Sequence, residues 1–192
     1  MMKHDMNEIQ SILLDAASLH EKLASCADSI AKAIDVIGEK MKKGGTLFAM
    51  GNGGSAADAQ HLAGELVGRF EMERPALPCV ALTTDTSIIT SVGNDYGVAD
   101  IFTRQVEGLV RSGDVVLGIS TSGTSSNIID ALVLAQNHGA ATVGLTGAEG
   151  GDMSECCDVV VRTPSDQTPR IQEGHSTIIH IMCRILEREL SQ

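Results

Sequence analysis

Five short apolar runs, each of strand length, alternate along this chain with longer stretches that favour helix. Parallel strands need a crossover connection, usually a helix, so the alternation predicts a parallel sheet covered by helices on both faces. We therefore predict an α/β fold in three layers, built on a doubly wound, parallel, five-stranded sheet. The five runs are residues 46–50, 78–82, 115–119, 142–146 and 159–161.

The segment before the first run has a different pattern. Its apolar residues recur at helical spacing, first over 9–23 and then over 30–41. The pattern predicts an N-terminal pair of helices within 1–43, followed by an α/β core over 44–192 that ends in a C-terminal helix. A chain of 192 residues can bury one sizeable core. We therefore predict a single domain over 1–192.

Composition argues against several classes of protein. The net charge is −11 and aromatic residues make up 2% of the chain, whereas nucleic-acid binding needs clustered Lys and Arg, or aromatic side chains that stack on bases. No run of about eighteen apolar residues occurs that could cross a membrane. The five cysteines are scattered without a CxxC pair. We expect reduced thiols and a cytoplasmic protein without nucleic-acid or membrane partners.

The first apolar run leads into a glycine-rich turn, GNGGS at 51–55, and then into helix-forming residues up to about Phe70. Strand, glycine turn and helix in this order can hold an anion, because glycines allow close approach and the N–H groups at a helix N-terminus favour negative charge. The turn is neither GxGxxG nor GxxxxGK[ST]. A small phosphate compound is therefore a better candidate than NAD or ATP.

A second turn rich in hydroxyls, STSGTS at 120–125, follows the third apolar run and opens another helix. Hydroxyl groups beside a helix N-terminus suit the oxygens of a phosphate monoester. Ser and Thr are also common helix caps, so any single hydroxyl has a structural alternative. Because ligands bind at the carboxyl ends of parallel strands, we expect both turns to line one site for a sugar phosphate or a similar compound. We call the turns at 51–55 and 120–125 the phosphate-type turns.

His61 and Glu65 are four residues apart, so both side chains lie on one face of the predicted helix. Such a pair resembles half of a zinc site, and its alternative is a hydrogen bond on the helix surface. Gln172 and His180, on the last predicted helix, are the natural further ligands. They stand about 12 Å apart along a regular helix, which hints at a site completed by two subunits.

Taken together, these motifs resemble those of the phosphoheptose isomerase family, which has the sugar isomerase (SIS) fold. The motifs are GNGGS at 51–55, His61 with Glu65, VGND at 92–95, STSG at 120–123, and RIQE at 170–173 followed by His180. The similarity extends through nearly the whole chain. It implies conversion of sedoheptulose 7-phosphate to D-glycero-D-manno-heptose 7-phosphate, the first step toward the heptoses of bacterial lipopolysaccharide.

The resemblance also implies the roles of individual residues. It implies zinc as a cofactor, with one ion per subunit. It also implies a homo-oligomer, expected to be a tetramer, with sites at its subunit interfaces. Ser55 and Arg69 are further substrate candidates, although Ser55 could instead cap the helix and Arg69 could be a solvated residue. The implied substrate contacts are Asn52, Gly53, Gly54, Glu65, Asn94, Asp95, Ser120, Thr121, Ser122, Ser125 and Gln172. The implied zinc ligands are His61, Glu65, Gln172 and His180.

An aldose–ketose isomerase needs a base that moves a proton between two carbons and an acid that moves protons between two oxygens. We assign Glu65 as the base and His180 as the acid, on an enediol route. Groups bound to zinc are not free acids and bases. Either the metal leaves one of them accessible, or it acts as a Lewis acid on the carbonyl.

Three alternatives remain. A non-enzymatic relative of the same fold binds the bacterial replication initiator protein, but that family lacks the acid at the position of Glu65 and the imidazole at that of His180. A regulatory sugar-phosphate sensor would bind through the same turns, but such sensors carry a DNA-binding domain. Other substrates, such as arabinose or hexosamine phosphates, also fit turns that recognise only phosphate.

Overall fold

The computed structural model describes residues 5–191, and these residues contain one five-stranded sheet. Every neighbouring pair of strands is parallel, and the strand order is β2-β1-β3-β4-β5. This is a doubly wound order, which confirms the predicted fold class. The strands are β1 (Leu47–Gly51), β2 (Cys79–Ala81), β3 (Val115–Ile119), β4 (Ala141–Thr146) and β5 (Val159–Arg162).

Eight α-helices occur in residues 5–191. Two of them precede β1, as the N-terminal apolar spacing predicts, and a short 3₁₀ turn at 24–26 separates the two. The helices are α1 (Met6–Leu23), α2 (Ala27–Lys42), α3 (Gly54–Val67), α4 (Thr86–Asp95), α5 (Thr103–Leu109), α6 (Ser126–Asn137), α7 (Met153–Cys156) and α8 (Thr168–Leu190).

The core has two parts, one on each face of the sheet. In β1, Leu47 and Ala49 belong to the first part, whereas Phe48 and Met50 belong to the second, as the two-residue period of a strand requires. Helices α1, α2, α3 and α8 cover the first face, and α5, α6 and α7 contribute to the second. This arrangement gives the three predicted layers.

Two helix ends differ from the sequence-based prediction. Helix α3 ends at Val67, three residues before Phe70, because Gly68 leaves the helical conformation with φ −74° and ψ −107°. Helix α8 begins at Thr168, earlier than the predicted start near Ile171, because Pro169 suits the first turn of a helix. The single-domain organisation over 1–192 stays a prediction.

Within residues 5–191, no helix combines the length and the apolar character that crossing a membrane would require.

The order of the strands determines where a site can lie. Strand β1 has β2, the next strand along the chain, on one side and β3 on the other. The connections that follow β1 and β3 therefore diverge and open a crevice between them. These connections are the turns at 51–55 and 120–125. Helices α3 and α8 both begin at this edge of the sheet and pack against each other.

Candidate active site

The first turn joins β1 to α3 through glycine. Gly53 has φ +56° and ψ −121°, a conformation that other residues rarely adopt, and no side chain caps α3 at this position. Ser55 is the second residue of α3 rather than its cap, and it is buried behind the turn, where a side chain on Gly51 would meet it. The exposed part of the turn is therefore backbone together with Asn52.

The second turn presents hydroxyl groups that are not used as helix caps. Ser125 occupies the N-cap position of α6, but its side chain makes no capping hydrogen bond. Its Oγ lies 3.0 Å from the Oγ of Ser120 instead, and the hydroxyl of Thr124 donates to the Oγ of Ser122 at 3.0 Å. Ser120 is buried, whereas Ser122 is exposed. The capping alternative for Ser125 therefore does not apply.

A pair of amide side chains connects the two turns. Asn52 donates to the Oδ1 of Asn127 at 2.9 Å, and Asn127 donates back to the Oδ1 of Asn52 at 3.0 Å. Asn127 is buried in the first turn of α6. It is a positioning residue that sequence analysis missed, because nothing local in the sequence indicates a partner 75 residues away.

The imidazole and carboxylate groups predicted from sequence meet on the surface formed by α3 and α8. His61 Nε2 lies 2.9 Å from His180 Nε2 and 3.6 Å from Glu65 Oε1. The side chains of His61 and Glu65 are 45% and 26% exposed, so a ligand can reach them. The structure thus brings together two helices that are far apart in the chain.

The donor chemistry of this group fits zinc, although its geometry is not that of a finished site. Within residues 5–191, no three His, Cys, Asp or Glu side chains are arranged so that they could hold a metal ion as they stand. Two imidazole nitrogens and a nearby carboxylate oxygen are nevertheless a donor set that zinc takes. The two nitrogens, 2.9 Å apart, are somewhat closer than the roughly 3.4 Å expected for two ligands of one tetrahedral ion.

Gln172 does not join the two histidines within one chain. Its amide lies beside Gly54, at the start of α3, where an added Cβ would overlap it. His180 stands about 12 Å further along α8. The structure therefore places Gln172 beside the glycine turn at 51–55 and leaves His180 with His61.

The remaining predicted site residues are exposed. Asn94 and Asp95 end α4, where the Asn94 amide donates to the Asp95 carboxylate at 2.8 Å. Among the described residues, no hydrogen bond joins this pair to either turn. Arg69 follows α3 and forms an exposed ion pair with Glu73 at 3.8 Å, which agrees with the solvated alternative.

His175 lies on α8 between these groups but faces the core. It is fully buried, its Nε2 lies 3.1 Å from the carbonyl oxygen of Thr146, and its Nδ1 has no partner. Burial lowers the pKa of His175 below the ordinary value of 6.5, and the Thr146 carbonyl and Asp58 offset this only in part. His175 therefore binds a proton less readily in the folded chain than in the unfolded chain.

Replacing His175 with Gln is expected to weaken the dependence of stability on pH. In the wild type, the free energy of unfolding does not depend on His175 above about pH 6.5. Below that pH it falls by up to about 1.4 kcal/mol per pH unit, because the unfolded chain then binds the proton more readily than the folded chain. Urea denaturation at several pH values on both sides of 6.5 measures the slope. His20→Gln is the control, since His20 is exposed. Equal slopes for wild type and His175→Gln would contradict the prediction.

Replacing Gly54 with Ala is expected to stabilise the fold less than the same change at a helix glycine with free space, because the new Cβ would overlap the Gln172 amide and the flexible Gln172 side chain would have to move. Gly64 provides a matched control on the same helix, since a Cβ there meets no atom within 4 Å. Gly64→Ala is expected to stabilise the fold by about 0.5–1 kcal/mol. Urea denaturation compares the two. A Gly54→Ala variant stabilised as much as Gly64→Ala would contradict the prediction.

Comparisons with known proteins agree with the fold. Residues 14–147 match the model of the SIS domain family. The chain is 52% identical over 186 residues to the phosphoheptose isomerase of Geotalea daltonii, which covers 96% of this chain and 97% of that protein. The solved phosphoheptose isomerase of Francisella tularensis has a TM-score of 0.92 and 36% identity, over 97% of this chain and 100% of that one. The corresponding structure from Neisseria gonorrhoeae has a TM-score of 0.89 and 37% identity, over 95% and 98%. The chain therefore belongs to the SIS domain family and, within it, to the phosphoheptose isomerases.

Proposed function

We propose that the protein is an aldose–ketose isomerase that converts sedoheptulose 7-phosphate to D-glycero-D-manno-heptose 7-phosphate. The observation that carries this proposal is the meeting of His61, Glu65 and His180 on helices α3 and α8. Helix α3 begins at the glycine turn, and the first turn of α8 places Gln172 beside the same turn. In an extended heptulose phosphate, the carbonyl at C2 and the phosphate on C7 are at opposite ends. Groups that bind the phosphate and groups that move protons must then be separated.

The proton transfers balance with one base and one acid. Glu65 takes a proton from C1 of the ketose, so that an enediol forms between C1 and C2, and returns a proton to C2 to give the aldose. His180 supplies a proton to the oxygen on C2 and accepts the proton from the oxygen on C1. The phosphate would be held by the uncapped N–H groups and hydroxyls of the two turns.

Zinc is part of this proposal, one ion per subunit. His61, Glu65 and His180 would hold it, and the ion would polarise the substrate carbonyl. For the proton transfers, Glu65 would keep one carboxylate oxygen and His180 its second ring nitrogen free of the ion. Gln172 could reach the same ion only from another copy of the chain, because about 12 Å of helix separates it from His180 within one chain.

A homo-oligomer, expected to be a tetramer, with sites at subunit interfaces is supported by this separation and by the surface of α1. Large apolar side chains on α1 are exposed: Met6, Ile9, Ile12, Leu13 and Leu14. Light scattering of the purified protein tests the assembly, and a monomer would contradict it. The cytoplasm as location and lipopolysaccharide as destination of the heptose stay predictions from the sequence.

The proposed function is tested by incubating the zinc-loaded protein with sedoheptulose 7-phosphate in D₂O and following the aldose 7-phosphate by NMR. Deuterium at C2 of the product is expected on the enediol route. Arabinose 5-phosphate and a hexosamine phosphate are the matched alternative substrates. Turnover of one of these and not of the heptulose would change the substrate.

The absence of any turnover, with zinc bound and the oligomer intact, would sink the isomerase proposal. A protein of the same fold that binds the replication initiator would then become the leading candidate.

A further inference from the structure

The segment that follows α3 is folded around one buried carboxylate. Glu187 of α8 accepts hydrogen bonds from three successive backbone N–H groups, those of Phe70 at 3.2 Å, Glu71 at 2.9 Å and Met72 at 3.0 Å. Successive N–H groups of this kind form a concave site for an anion. In this chain the anion is a side chain of the protein itself, so the position of residues 70–72 is set from α8.

Arg74 completes the arrangement. Its Nε donates to Glu187 at 3.2 Å, and its Nη1 and Nη2 donate to the carbonyl oxygens of Leu66 and Glu65, both at 2.8 Å. The side chains of Arg74 and Glu187 are each 1% exposed. The pair therefore connects the last turn of α3, which carries Glu65, to α8, which carries His180.

The backbone held by Glu187 carries a ring that contacts the candidate active site. The ring of Phe70 stacks on that of His180, with centroids 5.5 Å apart and planes inclined by 27°. The His61 ring also contacts His180, with centroids 5.0 Å apart and planes inclined by 58°. Contacts with these two rings limit the rotation of the His180 imidazole.

We propose that Phe70 is a positioning residue for His180, and that the buried Glu187–Arg74 pair holds Phe70 against the imidazole. The stacked ring keeps His180 Nε2 directed at His61 Nε2, which is the orientation that a shared metal ion needs. This inference rests on the proposed function for its kinetic consequence. The orientation of the ring itself does not depend on it.

The test must distinguish positioning of His180 from a general contribution to stability. Variants of Glu187 or Arg74 could not separate a loss of stability from a loss of positioning, because both side chains are buried and their removal disturbs the core. Phe70 is only half-buried, so its replacement can change the imidazole without unfolding the chain. Phe70 therefore carries the test.

The test compares Phe70→Leu with Phe70→Tyr, which keeps the ring. A matched control is Glu71→Gln, because the Glu71 carboxylate pairs with exposed Arg184 and its backbone N–H remains bound to Glu187. Three quantities are measured: the NMR shift of the His180 Hε1 proton, the affinity for zinc by competition with a chelator, and kcat and KM for sedoheptulose 7-phosphate.

In Phe70→Leu, we expect the His180 proton to lose the upfield shift that a stacked ring causes. Zinc affinity and kcat are each expected to fall by about 10-fold, as for other residues that orient a metal ligand, with KM little changed. Phe70→Tyr and Glu71→Gln are expected to behave like wild type.

An unchanged zinc affinity in Phe70→Leu would overturn the proposal, whether or not the melting temperature falls, because the loss of the upfield shift alone follows from removing the ring. Failure of the proposed function is a separate result. A wild-type protein without turnover would remove the kinetic comparison, while the zinc affinity of Phe70→Leu would still decide whether Phe70 orients the ring.

Discussion

Replacing Glu65 with Gln is expected to lower kcat for the isomerisation by about 10²–10⁴-fold, the usual contribution of a positioned general base. Gln keeps the shape of the side chain but cannot accept the carbon-bound proton. Because Glu65 lies 3.6 Å from His61 Nε2 on the same helix face, the neutral amide still fits without disturbing α3. Initial rates with the heptulose phosphate measure the effect.

The control for Glu65→Gln is Glu39→Gln, which removes the carboxylate of another i, i+4 pair, that with Lys43 on the exposed side of α2. It is expected to leave kcat unchanged. His180→Gln should lower kcat to a similar degree as Glu65→Gln, since one group alone cannot move protons at both carbon and oxygen. A Glu65→Gln enzyme that still exchanges the C1 proton with D₂O would rule out Glu65 as the base.

Replacing Arg74 with Met is expected to destabilise the fold by about 3–5 kcal/mol, because it leaves a buried carboxylate without its counter-charge. Burial alone would raise the pKa of Glu187, but the backbone N–H groups of residues 70–72 and Arg74 hold it below the ordinary range. The carboxylate is therefore charged at neutral pH. The carbonyl oxygens of Glu65 and Leu66 would also lose their donors. Urea denaturation at pH 7 measures the loss.

The matched control for Arg74→Met is Arg184→Met. Arg184 pairs with Glu71 in the same region, but both side chains are largely exposed, and solvent screens such a pair. We expect little change in stability from this variant. The double variant with Arg74→Met and Glu187→Gln should be more stable than Arg74→Met alone, since it removes the unpaired charge and keeps an amide oxygen that can accept from the N–H groups of residues 70–72. A double variant that is less stable would show that the charge is not the cause.

Much of the fold follows from local patterns, which explains why sequence predicts it well. Each strand lies within one or two residues of an apolar run, because burial on both faces requires continuous apolar sequence. The N-terminal helices follow from helical spacing in the same way. The missed end of α3 at Val67 was a local detail, the conformation of Gly68.

The candidate site divides into local and non-local parts. The closeness of His61 to Glu65 follows from the helical repeat alone. The meeting of His61 with His180, 119 residues apart, and of Asn52 with Asn127, 75 residues apart, does not. Neither pair has a periodicity that could reveal it. The role of the segment after α3 was missed for the same reason.

The sequence by itself determined the class of the fold, the two phosphate-type turns and the residue types able to transfer a proton, because each is written in a short stretch of chain. Only the tertiary structure decided which groups meet. The strand order places the two turns beside one crevice, and the packing of α3 on α8 brings His180 to His61. The same packing leaves Gln172 beside the glycine turn, because a rigid helix keeps residues eight apart from reaching one point.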